Sequence, residues 1–440
     1  MRLRRGRWRA VVLTSIVIGG LLWCGWRRWD VRQYRDAMAR VEDAMRTGRY
    51  AVAARDLAAL LNRRPVADQA AYLLGLCEKA RGRAQEADAA WARVSPDSPF
   101  SGQAVAARMD LLIEQGRLAA AEDFIGSAAI QARGTEGSGL RMLLIPTFMQ
   151  EGRADEAMRL IESRWRNLES RGDGASEQAV NLARLCMELR WNVPPVDAVR
   201  GYLDQVGRLA PDDDRIWLGR ANLAIRTGAY DEAARWIDAC LGRRPDDRSV
   251  WRARLDWAMK TNRLAEARVA LEHLRGEPPS LADLHRLLAR HESACGDGQA
   301  ERRELTAVVA EAPEDFEALD RLEELQRRES PDMIAGEWRR RRAEIESAQA
   351  RYRELYRRHQ PSRDAGELGR LAERLGRRFE AIVFLTAALA EEPDRDELRE
   401  ALRRVEDASR QSAEAARIVF DRLPTDCRVQ GTSSGDESVR

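Results

Sequence analysis

Residues 216–245 read IWLGRANLAIRTGAYDEAARWIDACLGRRP. Gly228 marks a turn between two runs of good helix formers, and Pro245 closes the second run because proline cannot donate a helical hydrogen bond and clashes with the preceding turn. Working outward from this stretch, the same punctuation returns at a constant step. Pro211, Pro245, Pro279 and Pro313 are each 34 residues apart. Trp217 recurs as Trp251, Ala233 as Ala267, and Ile237 as Leu271 and Leu305, while the turn reads Gly228, Asn262, Gly296. An earlier block keeps the pattern with Gly48, Gly82 and Gly116; Ala53, Ala87 and Ala121; Leu57, Trp91 and Ile125; Pro65 and Pro99. Each unit is therefore expected to be a helical hairpin. Its small residues mark the closest approach of the two helices, and its large ones fill the gap to the next hairpin. No hairpin buries its apolar face alone, so the units must stack.

A 34-residue period carrying Trp217, Gly228, Tyr230, Ala233, Ile237, Leu241 and Pro245, with Leu74-Gly75 in an earlier first helix, resembles the tetratricopeptide repeat. The resemblance covers residues 34–170, 176–315 and 362–395. It implies an all-α, TPR-type α-solenoid of about nine stacked hairpins that binds other proteins or peptide segments. It also implies a groove lined by the first helices, at Arg215, Leu218, Asn222 and Arg226, then Ser249, Arg252, Asp256 and Lys260, then Asp283, Arg286, Arg290 and Ser293. The candidate peptide-binding residues are Arg215, Asn222, Arg226, Arg252, Arg286 and Arg290. Arg252, Arg286 and Arg290 are placed to hold carboxylates by bidentate hydrogen bonds. Leu218 and Asp256 depart from the family's carboxylate clamp, so that particular clamp is not expected.

The chain divides by composition. Residues 1–30 are a basic N-terminus and an anchor: the uncharged run 10–26, AVVLTSIVIGGLLWCGW, would span ~26 Å as a helix and is bracketed by Trp8, Trp23, Trp26 and Trp29. The expectation is one N-terminal transmembrane helix contacting the lipid bilayer. Five arginines before it place the N-terminus in the cytoplasm and the repeat body outside a cytoplasmic membrane, in a bacterial periplasm. Repeats follow at 31–170, an irregular segment at 171–213, regular repeats at 214–315, a charged insertion at 316–360, a further repeat with capping helices at 361–423, and a polar tail at 424–440 expected to be disordered. The insertion predicts one long helix over 331–359, started by Ser330-Pro331, with Trp338, Ile345 and Tyr352 seven residues apart and Ala348 and Leu355 completing the seam. That seam either lies on the solenoid or makes a coiled-coil contact with a partner or a second copy.

Composition narrows the function further. Lys+Arg number 74 and Asp+Glu 72, for a net charge of +2, without the basic excess of a nucleic-acid binder. Almost every cation is arginine, with lysine only at Lys79 and Lys260, so single arginines are weak functional signals. The six cysteines are widely spaced, with no CxxC pair. His291 and Cys295 lie four apart as half a metal site without a second half, and no phosphate loop, dinucleotide fingerprint or nucleophile elbow occurs. No catalytic residue, metal or cofactor is expected. The reading is a membrane-tethered interaction scaffold. Its alternatives are a cytoplasm-facing envelope assembly factor and a non-catalytic subunit of a membrane enzyme complex.

Overall fold

A computed structural model describes residues 32–63, 67–132, 135–274, 280–329 and 336–421, and among these the regular elements are helices with no strand. They form two compact units. The first comprises residues up to Gln115 with Asp123–Ala132, and the second Gly116–Glu122 with the chain from Arg133 onward.

The first unit contains α1 over 32–46, α2 (Tyr50–Arg63), α3 (Asp68–Ala80), α4 (Ala84–Trp91) and α5 (Ser101–Glu114). Val41, Ala53, Leu57, Leu61, Ala70 and Cys77 form one core cluster, and Ala87, Trp91, Ala104 and Leu111 another. Trp91 is fully buried, and its indole Nε1 donates to the Tyr72 carbonyl at 3.1 Å. That ring lies flat against Gly75, where any Cβ would collide with it. The glycine is thus required by close approach and not by its own dihedral angles.

Helix α6 (Leu118–Gln131) links to the second unit, which continues as α7 (Thr135–Arg141), α8 (Ile145–Gln150), α9 (Ala154–Glu169), α10 (Glu177–Trp191), α11 (Val196–Leu209), α12 (Asp214–Thr227), α13 (Tyr230–Arg243), α14 (Arg248–Lys260), α15 (Leu264–His273) and α16 (Leu281–Cys295). Beyond these run α17 (Gly298–Glu311), α18 (Phe316–Glu329), α19 (Glu337–Arg357), α20 (Ala365–Arg374), α21 (Arg378–Glu391) and α22 (Asp396–Asp421).

The hairpins close through one recurring turn. Gly228 has φ of 78°, its N–H donates to the Ile225 carbonyl at 3.2 Å, and the Ala229 N–H donates to Ala224 at 2.9 Å. This is a Schellman-type helix end, which satisfies carbonyls that the last turn would otherwise leave unpaired. Gly48, Gly82, Gly116, Gly152, Gly296 and Gly376 hold the same positive φ, and Asn262 takes it at 55°. Five residues past the turn comes a buried alanine (Ala53, Ala87, Ala157, Ala233, Ala267, Ala381), and four further on a large apolar side chain such as Leu57, Trp91, Ile161, Ile237, Leu271 or Leu385. The recurring tryptophans staple the repeats: Trp217 Nε1 donates to the Pro211 carbonyl at 2.8 Å and Trp251 Nε1 to that of Pro245 at 2.7 Å. One hairpin departs. Glu301 stands where the others have alanine, is 5% exposed, and is held by Arg321 of α18 at 2.6 Å.

The second unit returns on itself. Trp165, Leu168, Ala179, Val180 and Met187 of α9–α10 share a core with Ile345, Tyr352, Leu368, Phe384, Leu385 and Val405 of α19–α22. Ala416 of α22 joins the α12–α16 core. Charge pairs lock the closure: Tyr352 Oη donates to Glu380 Oε2 at 2.7 Å, Arg190 Nε reaches Glu380 Oε1 at 3.0 Å, and Arg377 grips Glu314 through Nε and Nη2 at 2.9 and 2.8 Å.

Two expectations change. No helix among the described residues is long and apolar enough to cross a membrane, and the run 10–26 lies outside those residues. The described residues form an all-α solenoid without a transmembrane helix, so the expected anchor and its bilayer contact are not supported. Of the two placements expected for the inserted helix, packing on the chain's own core is the one observed, and no coiled coil is shown among the described residues. Ile345, Ala348, Tyr352 and Leu355 are buried in the chain's own core, and Trp338 packs on α16–α18, so the seam is used up internally. Its expected start at Ser330-Pro331 and the tail 424–440 lie outside the described residues.

Two glycine substitutions separate the two costs of the hairpin. Gly228→Ala meets no neighbouring atom but must keep its positive φ, and should lose about 1–2 kcal/mol. Gly75→Ala presses on the Trp91 indole and should lose about 1–3 kcal/mol or more through overpacking, confined to the first unit. Urea titrations followed by hydrogen exchange measure both; loss of protection in the second unit of the Gly75 variant would contradict the local account.

Candidate functional site

The site grows from the α8–α9 turn. Gly152 takes φ of 74°, and a Cβ there would lie 2.9 Å from the Asn222 Cβ, so only glycine lets this turn sit against α12. The turn presents Glu151 and Arg153 to the neighbouring first helices, and both are buried. Arg153 Nη1 donates to Glu151 Oε2 at 2.7 Å, Nη2 to Glu122 Oε1 at 2.7 Å, and Nε to Glu156 Oε1 at 2.8 Å. Ser249 Oγ accepts from Arg153 Nη2 at 3.0 Å and donates to Glu156 Oε2 at 2.8 Å. Arg215 lies beside this group, with Nε 2.5 Å from Glu122 Oε2 and Nη2 2.6 Å from Asp247 Oδ2. Asp247 is itself the cap of α14, accepting the Ser249 N–H at 2.9 Å.

Above this floor opens a cleft of about 660 Å³, walled by α9 on one side and by the first helices α12, α14 and α16 on the other. Asn222, Ser249, Arg252, Asp256 and Asp283 line one wall, and Asp155, Glu156, Met158, Arg159 and Glu162 the other. A second cavity of about 430 Å³ shares Ala154, Asp155, Met158 and Arg190 with it and extends toward Trp191, Gln349 and Arg353. Three carboxylates repel one another across the larger cleft. Asp155 is pushed up from the ordinary carboxylate range by loss of hydration and then by Asp283, with Arg159 and Arg252 opposing. Asp256 is raised by loss of hydration and by Asp155 and Asp283, against Lys260 and Arg290. Burial also raises Glu162, whereas the Arg153 and Ser249 hydrogen bonds hold Glu156 low against its own burial.

The expected groove residues divide. Asn222 and Arg252 line the cleft, with Asn222 Nδ2 donating to the Glu151 carbonyl at 2.7 Å. Arg215 is buried in the floor. Arg226 Nη1 donates to the Pro194 carbonyl at 2.7 Å. Arg286 pairs with Asp283 and, at 2.5 Å, with Asp315, while Arg290 donates to the Met259 carbonyl and lies 3.7 Å from Glu317. Arg215, Asn222, Arg226, Arg286 and Arg290 therefore hold the chain's own groups, and Arg252 acts on Asp155 and Glu156. The α9 wall and Arg190 were missed by the repeat argument. Gly152, Ala157 and Ile161 show the turn, small and large spacing that identifies α9 as a second helix, but nothing local tells that it faces α12 and α14. Among the described residues no group of three His, Cys, Asp or Glu is placed to hold a metal ion; His291 Nε2 and Cys295 Sγ are 3.7 Å apart.

Models of the tetratricopeptide repeat match residues 38–101 and 196–255. The chain contains tetratricopeptide repeats. The tetratricopeptide segment 196–255 holds α11 to most of α14, and with it Arg215, Asn222 and Ser249. Solved structures similar to the chain include a tetratricopeptide repeat protein from Parabacteroides merdae, at 16% identity over 67% of this chain and 98% of that one, TM-score 0.25. Others are a chain of the APC/C hetero-tetramer Cut9–Hcn1, at 12% identity over 84% and 89%, TM-score 0.33, and yeast Tom70, at 12% over 88% and 99%, TM-score 0.24. No curated protein matches the chain.

Arg153→Met tests the floor. Removing the guanidinium leaves the Glu122, Glu151 and Glu156 carboxylates without their shared partner, and breaking a buried pair in this way costs about 3–5 kcal/mol. Chemical denaturation with a loss below 1 kcal/mol would show that the network contributes little to holding α8–α9 against α14.

Proposed function

We propose that the chain is a protein-interaction scaffold whose second unit receives an extended partner segment in the cleft between α9 and α12–α14–α16, with a basic side chain of that segment seated among Asp155, Asp256 and Asp283. The observation that supports this reading is the cleft itself. Groove positions from three successive first helices, Asn222, then Ser249, Arg252 and Asp256, then Asp283, meet an opposing wall across a space of about 660 Å³. Cavities of this size suit a side chain with its flanking backbone. Mutual repulsion among the three carboxylates would be relieved by one cation. Met158, Leu255, Met259 and Leu274 offer apolar lining for the methylene stem of a lysine or arginine. Of the three arginines expected to select an acidic ligand, Arg286 and Arg290 are engaged within the chain and Arg252 lies in the field of Asp155 and Glu156, so charge selection falls to the carboxylates.

Calorimetric titration of the full chain with basic, neutral and acidic peptides of matched length tests this. The basic peptide is expected to bind most tightly, and Asp155→Asn with Asp256→Asn should weaken it roughly tenfold to a hundredfold, the ordinary loss for a charge-assisted bond. Arg339→Ala, on the exposed face of α19, should leave binding unchanged. Preference for the acidic peptide, or equal binding by the Asn variant, would overturn the proposal.

A further inference from the structure

The cleft floor holds more negative than positive groups. Glu122, Glu151, Glu156 and Asp247 gather on two guanidinium groups, Arg153 and Arg215, with the charge of Arg252 acting on Glu156, and the side chains of Glu151, Arg153 and Arg215 are only 1%, 4% and 7% exposed. Fully ionised, the cluster would bury an uncompensated excess of negative charge, which the protein interior tolerates poorly. The four carboxylates are not equivalent. Glu156 takes two Arg153 bonds and the Ser249 hydroxyl, and Asp247 takes Arg215 and the Ser249 N–H, so both are held below the ordinary carboxylate range against their burial. Glu122 receives both Arg153 and Arg215. Glu151 is the most enclosed and touches a single cation, Arg153 Nη1.

We propose that this cluster is a proton-dependent clasp: Glu151 carries a proton in the folded chain, and the α8–α9 turn grips α12 and α14 more firmly below neutral pH than above it. The inference does not depend on any partner of the cleft. Loss of hydration, with Glu122 adding repulsion against Arg153 and Arg215, raises the Glu151 carboxyl from 4.5 to about 7. Glu122 faces it from α6, Tyr202 from α11, Arg215 from α12 and Cys240 from α13, while Arg153 and Glu156 come from its own hairpin and Asp247 from the start of α14. Tyr202 and Cys240 are both pushed up to about 12, so neither ionises where Glu151 does.

The sign follows from linkage. A carboxyl raised by folding binds its proton in the native state at pH values where the unfolded chain has released it. Its stabilising contribution is complete below about pH 4.5 and is lost as pH rises through about 7. Across that window the folding equilibrium should weaken by up to about tenfold per pH unit from this group. Asp155, Asp256 and Glu162 are raised too and add slopes of the same sign, so the informative quantity is the difference between wild type and a Glu151 variant.

Urea denaturation of the full chain between pH 5 and 8 tests the clasp. Wild type should lose midpoint as pH rises, and Glu151→Gln, which mimics the protonated acid, should show a distinctly shallower slope. Glu122→Gln removes a repelling charge and should move the wild-type fall to lower pH. Infrared spectroscopy of the wild type alone should detect a protonated carboxylic acid at pH 6 that disappears by pH 8, which keeps the idea testable should either variant fail to fold. An unchanged slope in Glu151→Gln, or a wild type without that infrared band at pH 6, would overturn it.

Discussion

Most of the hairpins close because the chain leaves the first helix through a left-handed residue and the second helix then meets the first across an alanine. Both conditions are steric. A β-carbon is disfavoured at positive φ, and two helices cannot approach closely over a bulky contact. Gly228 meets the first condition and Ala233 the second, and the pair recurs as Gly82 with Ala87 and Gly376 with Ala381. Large side chains then fill the remaining space: Trp91 lies against Gly75 of its own hairpin and shares a core with Ala104 and Leu111 of the next helix. The first helices are then left with one face turned away from their partners, and that face walls the cleft of the second unit.

These conditions are local, which is why so much of the architecture could be read in advance. Turn, small residue, large residue and proline fall at fixed distances along the chain, so Trp217, Gly228, Ala233 and Pro245 announce a hairpin without knowledge of any other. Closure of the second unit was not legible. It rests on contacts such as Tyr352 with Glu380 and Arg190 with Glu380, between side chains on separate helices whose pairing no periodicity encodes. The groove was half legible for the same reason. The repeat register brings Asn222, Ser249, Arg252, Asp256 and Asp283 to one cleft, but the α9 residues that also line it come from outside that register.

The arginines teach a more specific lesson. Arg215 and Arg286 occupy positions from which a ligand carboxylate is accessible in an isolated hairpin, yet each reaches forward to an aspartate that caps the start of a later first helix, Asp247 and Asp315 respectively. One carboxylate thus satisfies backbone N–H groups within its own helix and a guanidinium from the preceding hairpin. In a chain rich in arginine and nearly devoid of lysine, the planar fork suits this double duty, because it can bridge several acceptors while shedding its hydration at modest cost. Ion pairing here joins one repeat to the next more than it decorates the surface.

Glu301 places a condition on how the chain comes together. A buried carboxylate sits where the other hairpins put a methyl group, and its partner Arg321 lies on α18, beyond the hairpin it belongs to. The α16–α17 hairpin is thus a repeat by its spacing whose buried carboxylate is completed by the helix that follows, so in this part of the chain neighbouring units share charge as well as apolar surface.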